Sequence, residues 1–324
     1  MKFFTIGSGS WGLTLSKILA ENRHRVRVFV RSEEKKRRLE EERIEKGIEI
    51  PPSIQFTTDI SQIEEFDYAL IVVPSFAFEE TVSRIRHLKV PPVLIATKGI
   101  DKNLRFMNQI LLEHIPGHPH AVLSGPNIAI EIAQHKPAST VIASEDEGLA
   151  GVFQEAFFTD YFRPYISRDV IGVEIGGALK NVYAIASGIV EALQLGINAR
   201  ASLITRALAE MMRLGEKMGA DSRTFAGLAG VGDLVATSFS VNSRNHFVGY
   251  NLGKGKSLEE IQEELKKRNM VAEGINTTIY GTELARKLGV EMPIMFMVKA
   301  ILKGKISVEE GIRRLIRRPL KREF

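Results

Sequence analysis

The chain has 324 residues, more than one ordinary core accommodates, so two domains are predicted, and a 44% hydrophobic content is enough to bury both. It contains no cysteine, which excludes disulfides, thiolate metal sites and a thiol nucleophile. The formal net charge of +5 suits an anionic small molecule, no nucleic-acid motif accompanies it and no apolar run reaches about 18 residues, so neither a nucleic-acid partner nor membrane insertion is expected.

The chain opens on a strand rather than a signal peptide, which predicts a cytoplasmic protein. That strand, Phe3-Phe4-Thr5-Ile6, breaks into Gly7-Ser8-Gly9-Ser10-Trp11-Gly12 and continues as helix-like Leu13 to Ala20. Strand, glycine turn and helix in this order form the dinucleotide-binding fingerprint: Gly7 permits the tight turn, Gly9 lets the backbone approach a pyrophosphate and Gly12 lets the helix pack on the strand. The start of the helix presents free N–H groups and a positive dipole end to the phosphates. A second strand, Arg25 to Val30, ends at Arg31, nineteen positions after Gly12. An acid there binds the ribose 2′-hydroxyl of NAD, whereas a base accommodates a 2′-phosphate, so Arg31 predicts NADP(H) as the preferred cofactor with NAD(H) second. Lys35 and Lys36 can add charge to the same pocket, although the mixed-sign run Lys35 to Arg43 reads first as a solvated helix.

Tyr68 to Val73, Val93 to Ala96 and Ala121 to Ser124 are short apolar runs, each followed by a polar turn and a helix-like stretch. This is the βα grammar of a doubly wound parallel sheet. Ligands in such sheets gather at the carboxyl ends of the strands, where Lys98 and Gly125 fall. Thr140 to Ala143 and Tyr161 to Ile166 supply the last strands. The fold class is therefore α/β, with a Rossmann-type dinucleotide-binding domain over residues 1–168 and a helical substrate domain over residues 169–324.

From Asp169 the strand grammar stops, and Val170 to Leu195 shows the spacing of a long interior helix rich in small residues. Lys180 is a cation in the middle of that apolar stretch; burial without a partner is costly, so either it has a chemical role or it snorkels to the surface. Gly227 to Leu234 is a glycine-rich turn delivering one carboxylate, Asp233. The polar run Thr237 to Asn245, which includes Val241, leads into a helix-like His246 to Leu252. Ser243 or Asn242 can cap that helix, which puts Arg244 and Asn245 in its first turn. An anion there gains free N–H donors, the dipole and a guanidinium fork, and an ordinary cap with a surface arginine reads equally well. The basic tail from Gly311 to Arg322, which includes Lys321, reads as a solvated terminal helix with a frayed end.

Taken together, Gly7-Ser8-Gly9-Ser10-Trp11-Gly12, Thr97-Lys98-Gly99, Ser124-Gly125-Pro126, Gly177-Ala178-Leu179-Lys180-Asn181-Val182, Gly232-Asp233-Leu234, Ser243-Arg244-Asn245 and Val271-Ala272-Glu273-Gly274 resemble the signature blocks of the NAD(P)-dependent glycerol-3-phosphate dehydrogenase family, in the family's order over nearly the whole chain. The resemblance implies interconversion of dihydroxyacetone phosphate and sn-glycerol 3-phosphate, in the service of glycerophospholipid synthesis. It implies that Ser10, Trp11, Arg31, Lys98 and Ala129 line the cofactor site with the three glycines. Lys98, Gly125, Asn127, Lys180, Asp233, Ser243, Arg244 and Asn245 would hold a small phosphorylated substrate, Arg244 also lying near the cofactor. Glu273 and Val271 would close over the dinucleotide from the helical side. Two positions depart from the pattern: Asn127 stands where Ser or Thr is more frequent, and Val271-Ala272-Glu273 replaces Val-Val-Glu.

On this reading Lys180 is the general acid of reduction and the base of oxidation, with burial and the cations Lys98 and Arg244 lowering its pKa and Asp233 opposing. Lys98 polarises the carbonyl, Asp233 orients Lys180 or holds a substrate hydroxyl, Ser243, Arg244 and Asn245 bind the phosphate, and no metal is required. A homodimer is compatible with the sequence. Two alternatives stand beside it: a β-hydroxyacid dehydrogenase acting on a small carboxylate, whose lysine motif usually separates the Lys and Asn that are adjacent here as Lys180 and Asn181, and a non-catalytic NADP(H)-sensing protein.

Overall fold

The run Phe3 to Ile6 folds as β1 (Lys2–Ile6), its side chains buried toward both faces, as a strand at the centre of a covered sheet must be. The structure is a computed structural model and describes residues 1–240, 242–268, 270–320 and 322–323; Val241 and Lys321 lie outside the described residues. The remaining strands are β2 (Arg25–Phe29), β3 (Ile44–Glu45), β4 (Ile48–Glu49), β5 (Gln55–Thr57), β6 (Tyr68–Ile71), β7 (Val93–Ile95), β8 (His120–Ser124), β9 (Ala138–Ala143) and β10 (Phe162–Ser167). Eight of them form one sheet in the order β10-β9-β8-β7-β6-β1-β2-β5, and β3 and β4 form a separate antiparallel hairpin. The strand order turns back on itself between β1 and β6, so a crevice opens at their carboxyl ends.

The N-terminal domain is thus Rossmann-like, with one correction to the all-parallel expectation. β9 pairs antiparallel with β8, and β10 follows β9 in parallel, so the last two strands run against the others. The chain between β8 and β9 holds only a five-residue helix, Ala129–Ala133, which packs on the helix Ser10–Glu21 near the carboxyl end of the sheet. It does not travel back along the sheet face, so β9 starts from the end where β8 stopped. Two further elements carried too little pattern to be read: the hairpin β3–β4 and the three-residue edge strand β5. The mixed-charge run is the helix Glu33–Glu42, which buries only Leu39.

The helical region is built on Val170–Ala192, which is apolar on all sides and is accordingly surrounded. It ends three residues short of the expected Leu195 because the chain turns there, with Gln194 at φ +55° and Gly196 at φ +83°. The helix Arg244–Gly253 crosses it in direct backbone contact: a Cβ on Gly188 would lie 2.2 Å from the His246 carbonyl oxygen, and one on Gly249 1.8 Å from that of Ile185. Side chains at either position would push the helices apart and carry Arg244 and Asn245 away from Lys180. The region's core includes Tyr183, Met211, Phe225, Leu234 and Val248. Among the described residues no helix is long and apolar enough to cross a membrane.

Inside this core, Glu210 is 1% exposed and caps the helix Pro293–Leu302, accepting from the N–H groups of Ile294 at 2.6 Å and Met295 at 3.2 Å and from the Tyr183 hydroxyl at 3.1 Å. Glu210→Ala would strand three donors in a dry site, and we expect a loss of about 3 kcal/mol or more, read as a lower urea midpoint at unchanged m-value.

Candidate active site

The crevice at the end of β1 is shaped by its glycines. Gly7 has φ +131°, and a Cβ on it would sit 2.2 Å from the Val72 carbonyl oxygen; one on Gly12 would sit 2.0 Å from that of Gly7. Neither position can carry a side chain. Gly9 differs, because no atom lies within 4 Å of where its Cβ would be, so its backbone is open to an incoming group. Ser10 and Trp11 begin the helix Ser10–Glu21, whose cap residue Gly9 offers no side chain to the first N–H groups. Those donors are left for an anion, and the residues present fit the pyrophosphate of a nicotinamide dinucleotide. Ala129 opens the short helix that packs on this one, its carbonyl oxygen accepting from the Thr14 hydroxyl at 3.2 Å. Arg31 stands exposed just beyond the end of β2.

The charged centre is Asp233, 1% exposed, the first residue of the helix Asp233–Phe239 that follows the glycine turn. Its Oδ1 accepts a short hydrogen bond from Lys180 Nζ and one from the Thr237 hydroxyl at 3.3 Å. Its Oδ2 accepts from Lys98 Nζ at 2.8 Å and from the Ser124 hydroxyl at 3.4 Å. Lys180 does not snorkel: the residue is 8% exposed, at the middle of the central helix. Burial pushes its ammonium down to about 7, with Lys98 acting in the same direction and Asp233 against it. For Asp233 burial works to raise the pKa, but the two ammonium groups outweigh it and hold the carboxylate below its ordinary range. One ionised acid between two amines leaves net positive charge at the floor of the cleft, and one amine titrates where proton transfer at neutral pH requires it.

Glu273 begins the helix Glu273–Leu288 and reaches across to the sheet domain. Its Oε1 accepts from the Ser75 N–H at 3.0 Å and its Oε2 from the Ser75 hydroxyl. Burial raises its pKa, while Ser75 and the charge of Arg244 oppose. Arg244 itself is reached by solvent yet crowded enough that desolvation lowers it, with Glu273 as the opposing charge. Ser243 is the cap, its hydroxyl accepting from the His246 N–H at 3.2 Å, so Arg244 and Asn245 stand in the first turn of the helix as expected. Val271 is half-buried just ahead of Glu273.

Gly125, with φ +155°, follows the last residue of β8 and lies against Thr140. Asn127 and Asn245 are engaged with the scaffold. Asn127 donates to the Ser139 carbonyl at 3.0 Å and accepts from the Thr140 hydroxyl at 2.9 Å. Asn245 donates to Asn181 Oδ1 at 2.8 Å and accepts from the Gly274 N–H at 2.9 Å, joining three helices. The sequence reading assigned no role to Ser75, Ser124, Thr237 or Asn181. Ser75 and Ser124 both lie at or just past the carboxyl ends of strands, the signal that pointed to Lys98 and Gly125.

Comparison with known proteins agrees with this geometry. Residues 2–150 match a family model described as the N-terminus of NAD-dependent glycerol-3-phosphate dehydrogenase, and residues 169–313 match the model of its C-terminus. The chain is 42% identical to a glycerol-3-phosphate dehydrogenase [NAD(P)+] of Leptospira biflexa, over all of this chain and 99% of that one, and 42% identical to one from Pseudomonas syringae pv. tomato, over 96% and 93%. A crystal structure of glycerol-3-phosphate dehydrogenase from Coxiella burnetii superposes with a TM-score of 0.93 at 34% identity, covering 98% of this chain and 99% of that one.

Proposed function

Because the chain belongs to the NAD-dependent glycerol-3-phosphate dehydrogenase family, we propose that its cleft interconverts dihydroxyacetone phosphate and sn-glycerol 3-phosphate with a nicotinamide dinucleotide, as a supply for glycerophospholipid synthesis. The bound dinucleotide supplies or accepts the hydride. Gly7, Gly9 and Gly12 shape its cradle, Ser10, Trp11 and Ala129 line it, and Glu273 with Val271 covers it from the helical side. In the direction of reduction Lys180 Nζ gives a proton to the ketone oxygen, and in oxidation the neutral amine takes it from the hydroxyl. Lys98 polarises the same oxygen. Asp233 holds both amines in place and keeps Lys180 from losing its proton too early. Arg244 and the capped helix start at Ser243 hold the phosphate beside Gly125, with Asn245 and Asn127 fixing the walls. The observation that carries this reading is the cluster of buried Lys180 and Asp233 with partly buried Lys98, at the carboxyl ends of β7 and β8.

The two units divide on this reading at residues 168 and 169, where β10 gives way to the central helix. The enzyme works in the cytoplasm on a small phosphorylated substrate without nucleic acid, and a homodimer is the assembly to seek by light scattering. Oxidation of NADPH and NADH followed at 340 nm tests the activity, with dihydroxyacetone phosphate beside small keto acids. Turnover of the phosphorylated ketone alone is expected; preference for a keto acid favours the hydroxyacid dehydrogenase alternative, and no turnover favours the cofactor sensor.

Arg31 supports NADP(H) as the preferred cofactor, because it is an exposed base where a 2′-phosphate would lie. For Arg31→Asp we expect the NADPH KM to rise about 10-fold or more while that of NADH changes less than about threefold. Equal changes for the two cofactors would remove Arg31 from this role.

A further inference from the structure

The hairpin β3–β4 places a carboxylate among the cations next to Arg31. Glu45 is 8% exposed, unusual for a glutamate in a two-residue strand, and it is held by Arg38 Nη2 at 2.5 Å and by Lys35 Nζ at 3.9 Å. Lys35 also donates to the carbonyl oxygen of Ser8 at 3.0 Å, so this cation is fixed to the glycine loop itself. The charges of Arg31, Arg38 and Lys46 all act on Lys35, so four cations cluster about the Lys35 ammonium, and two of them, Lys35 and Arg38, contact Glu45. The turn residues Lys46 and Gly47 have left-handed backbone, and Gly47 comes against Ile130 of the short helix that lines the cleft, so the hairpin roofs the same pocket. Two other acids lie close by: Glu42, half-exposed, takes the Arg38 Nη1 at 3.2 Å and leaves Nη2 to Glu45, and Glu33 is exposed and engaged by Thr58 and Lys36.

From this arrangement we infer that Glu45 sets the cofactor preference, as a built-in counter-charge that occupies Lys35 and Arg38 and so competes with the 2′-phosphate of NADP(H) for them. The inference rests on the reading of Arg31 as the 2′-phosphate site. Its physical basis is simple. A 2′-phosphate entering beside four cations gains from each of them and loses to any fixed anion among them. The anion has no such effect on a cofactor bearing a 2′-hydroxyl. Glu45 therefore moderates the preference by weakening NADP(H) alone and leaves NAD(H) binding as it is.

The test compares wild type with Glu45→Gln, and with Glu45→Met as a second neutral variant of similar volume should the first fail to fold. KM values for NADPH and NADH are measured with inhibition constants for adenosine 2′-monophosphate and adenosine 5′-monophosphate. We expect the NADPH KM and the 2′-monophosphate constant to fall about fivefold, the NADH and 5′-monophosphate values to stay within about twofold, and the difference to shrink at high salt. An unchanged or raised NADPH KM, or an equal fall for NADH, overturns the role of Glu45. If wild type does not prefer the 2′- over the 5′-monophosphate and Arg31→Asp alters neither, the Arg31 reading fails and Glu45 falls with it. A preference lost in Arg31→Asp but unaltered by both neutral Glu45 variants overturns Glu45 alone.

Discussion

Replacing Lys180 by Ala is expected to lower kcat by at least about 100-fold in both directions while the NADPH dissociation constant stays within a few-fold, because a positioned acid or base contributes about that much and the dinucleotide cradle is made by other residues. The variant should fold. Asp233 keeps Lys98 as its partner, so no charge is abandoned in the interior, and Lys180→Met, which refills the volume, controls for the cavity. The unmodified enzyme carries a matching signature. Reduction needs the ammonium form of Lys180, so its rate falls as pH rises through the lysine's lowered value of about 7. Oxidation needs the neutral amine, so its rate rises through the same value. Opposite limbs with a shared midpoint, measured as kcat/KM against pH in the two directions so that the substrate-free enzyme is read, and both absent from residual Lys180→Met activity, identify this group. Retention of more than about a tenth of wild-type turnover in Lys180→Ala would disprove the assignment.

How much of this was legible beforehand varies with the range of the interaction involved. The glycine loop could be read because strand, turn and helix follow one another in the chain: Gly12 is dictated by the nearby Gly7 carbonyl oxygen, 2.0 Å from its missing Cβ, whereas the carbonyl oxygen 2.2 Å from that of Gly7 belongs to the distant Val72, which the pattern alone does not show. Lys180 could be singled out because a cation at the centre of an apolar helix is an inconsistency that only a partner resolves. Its partner Asp233 stands out as the acid of a glycine-rich turn, but its double role, bridging Lys180 and Lys98 across separations of 53 and 135 residues, is a tertiary fact with no sequence period. The same holds for Glu273 on Ser75 and for Asn245 joining Asn181 to Gly274. The reversed direction of β9 depended on where a five-residue helix packs, and so its orientation was misread although its position was not. Glu45 was invisible for a related reason: a two-residue strand has too little pattern to declare itself, and the burial of its carboxylate follows from the cations that surround it.

Asp233→Asn separates what the carboxylate does as a charge from what it does as a shape. Asparagine can still accept through its carbonyl oxygen, so part of the contact with Thr237, Ser124 or one amine survives, but the only described acid bonded to both lysines is gone. The buried Lys180 and the partly buried Lys98 then face each other without compensation, and breaking a buried pair typically costs about 3–5 kcal/mol, to be read from urea unfolding. The two charges do not persist equally. Asp233 is the influence that raises the Lys180 pKa against burial and Lys98, so its removal lets that pKa fall further below about 7. At neutral pH the amine is then largely unprotonated, and the reduction rate should drop about 10-fold or more while its midpoint moves to lower pH. Oxidation, which uses the neutral form, should keep its midpoint moving the same way and reach its plateau at a lower pH. A purely structural Asp233 would lower stability and both rates and leave the midpoint where it was, so the direction of that shift, measured on protein shown to be folded by circular dichroism, decides between the two.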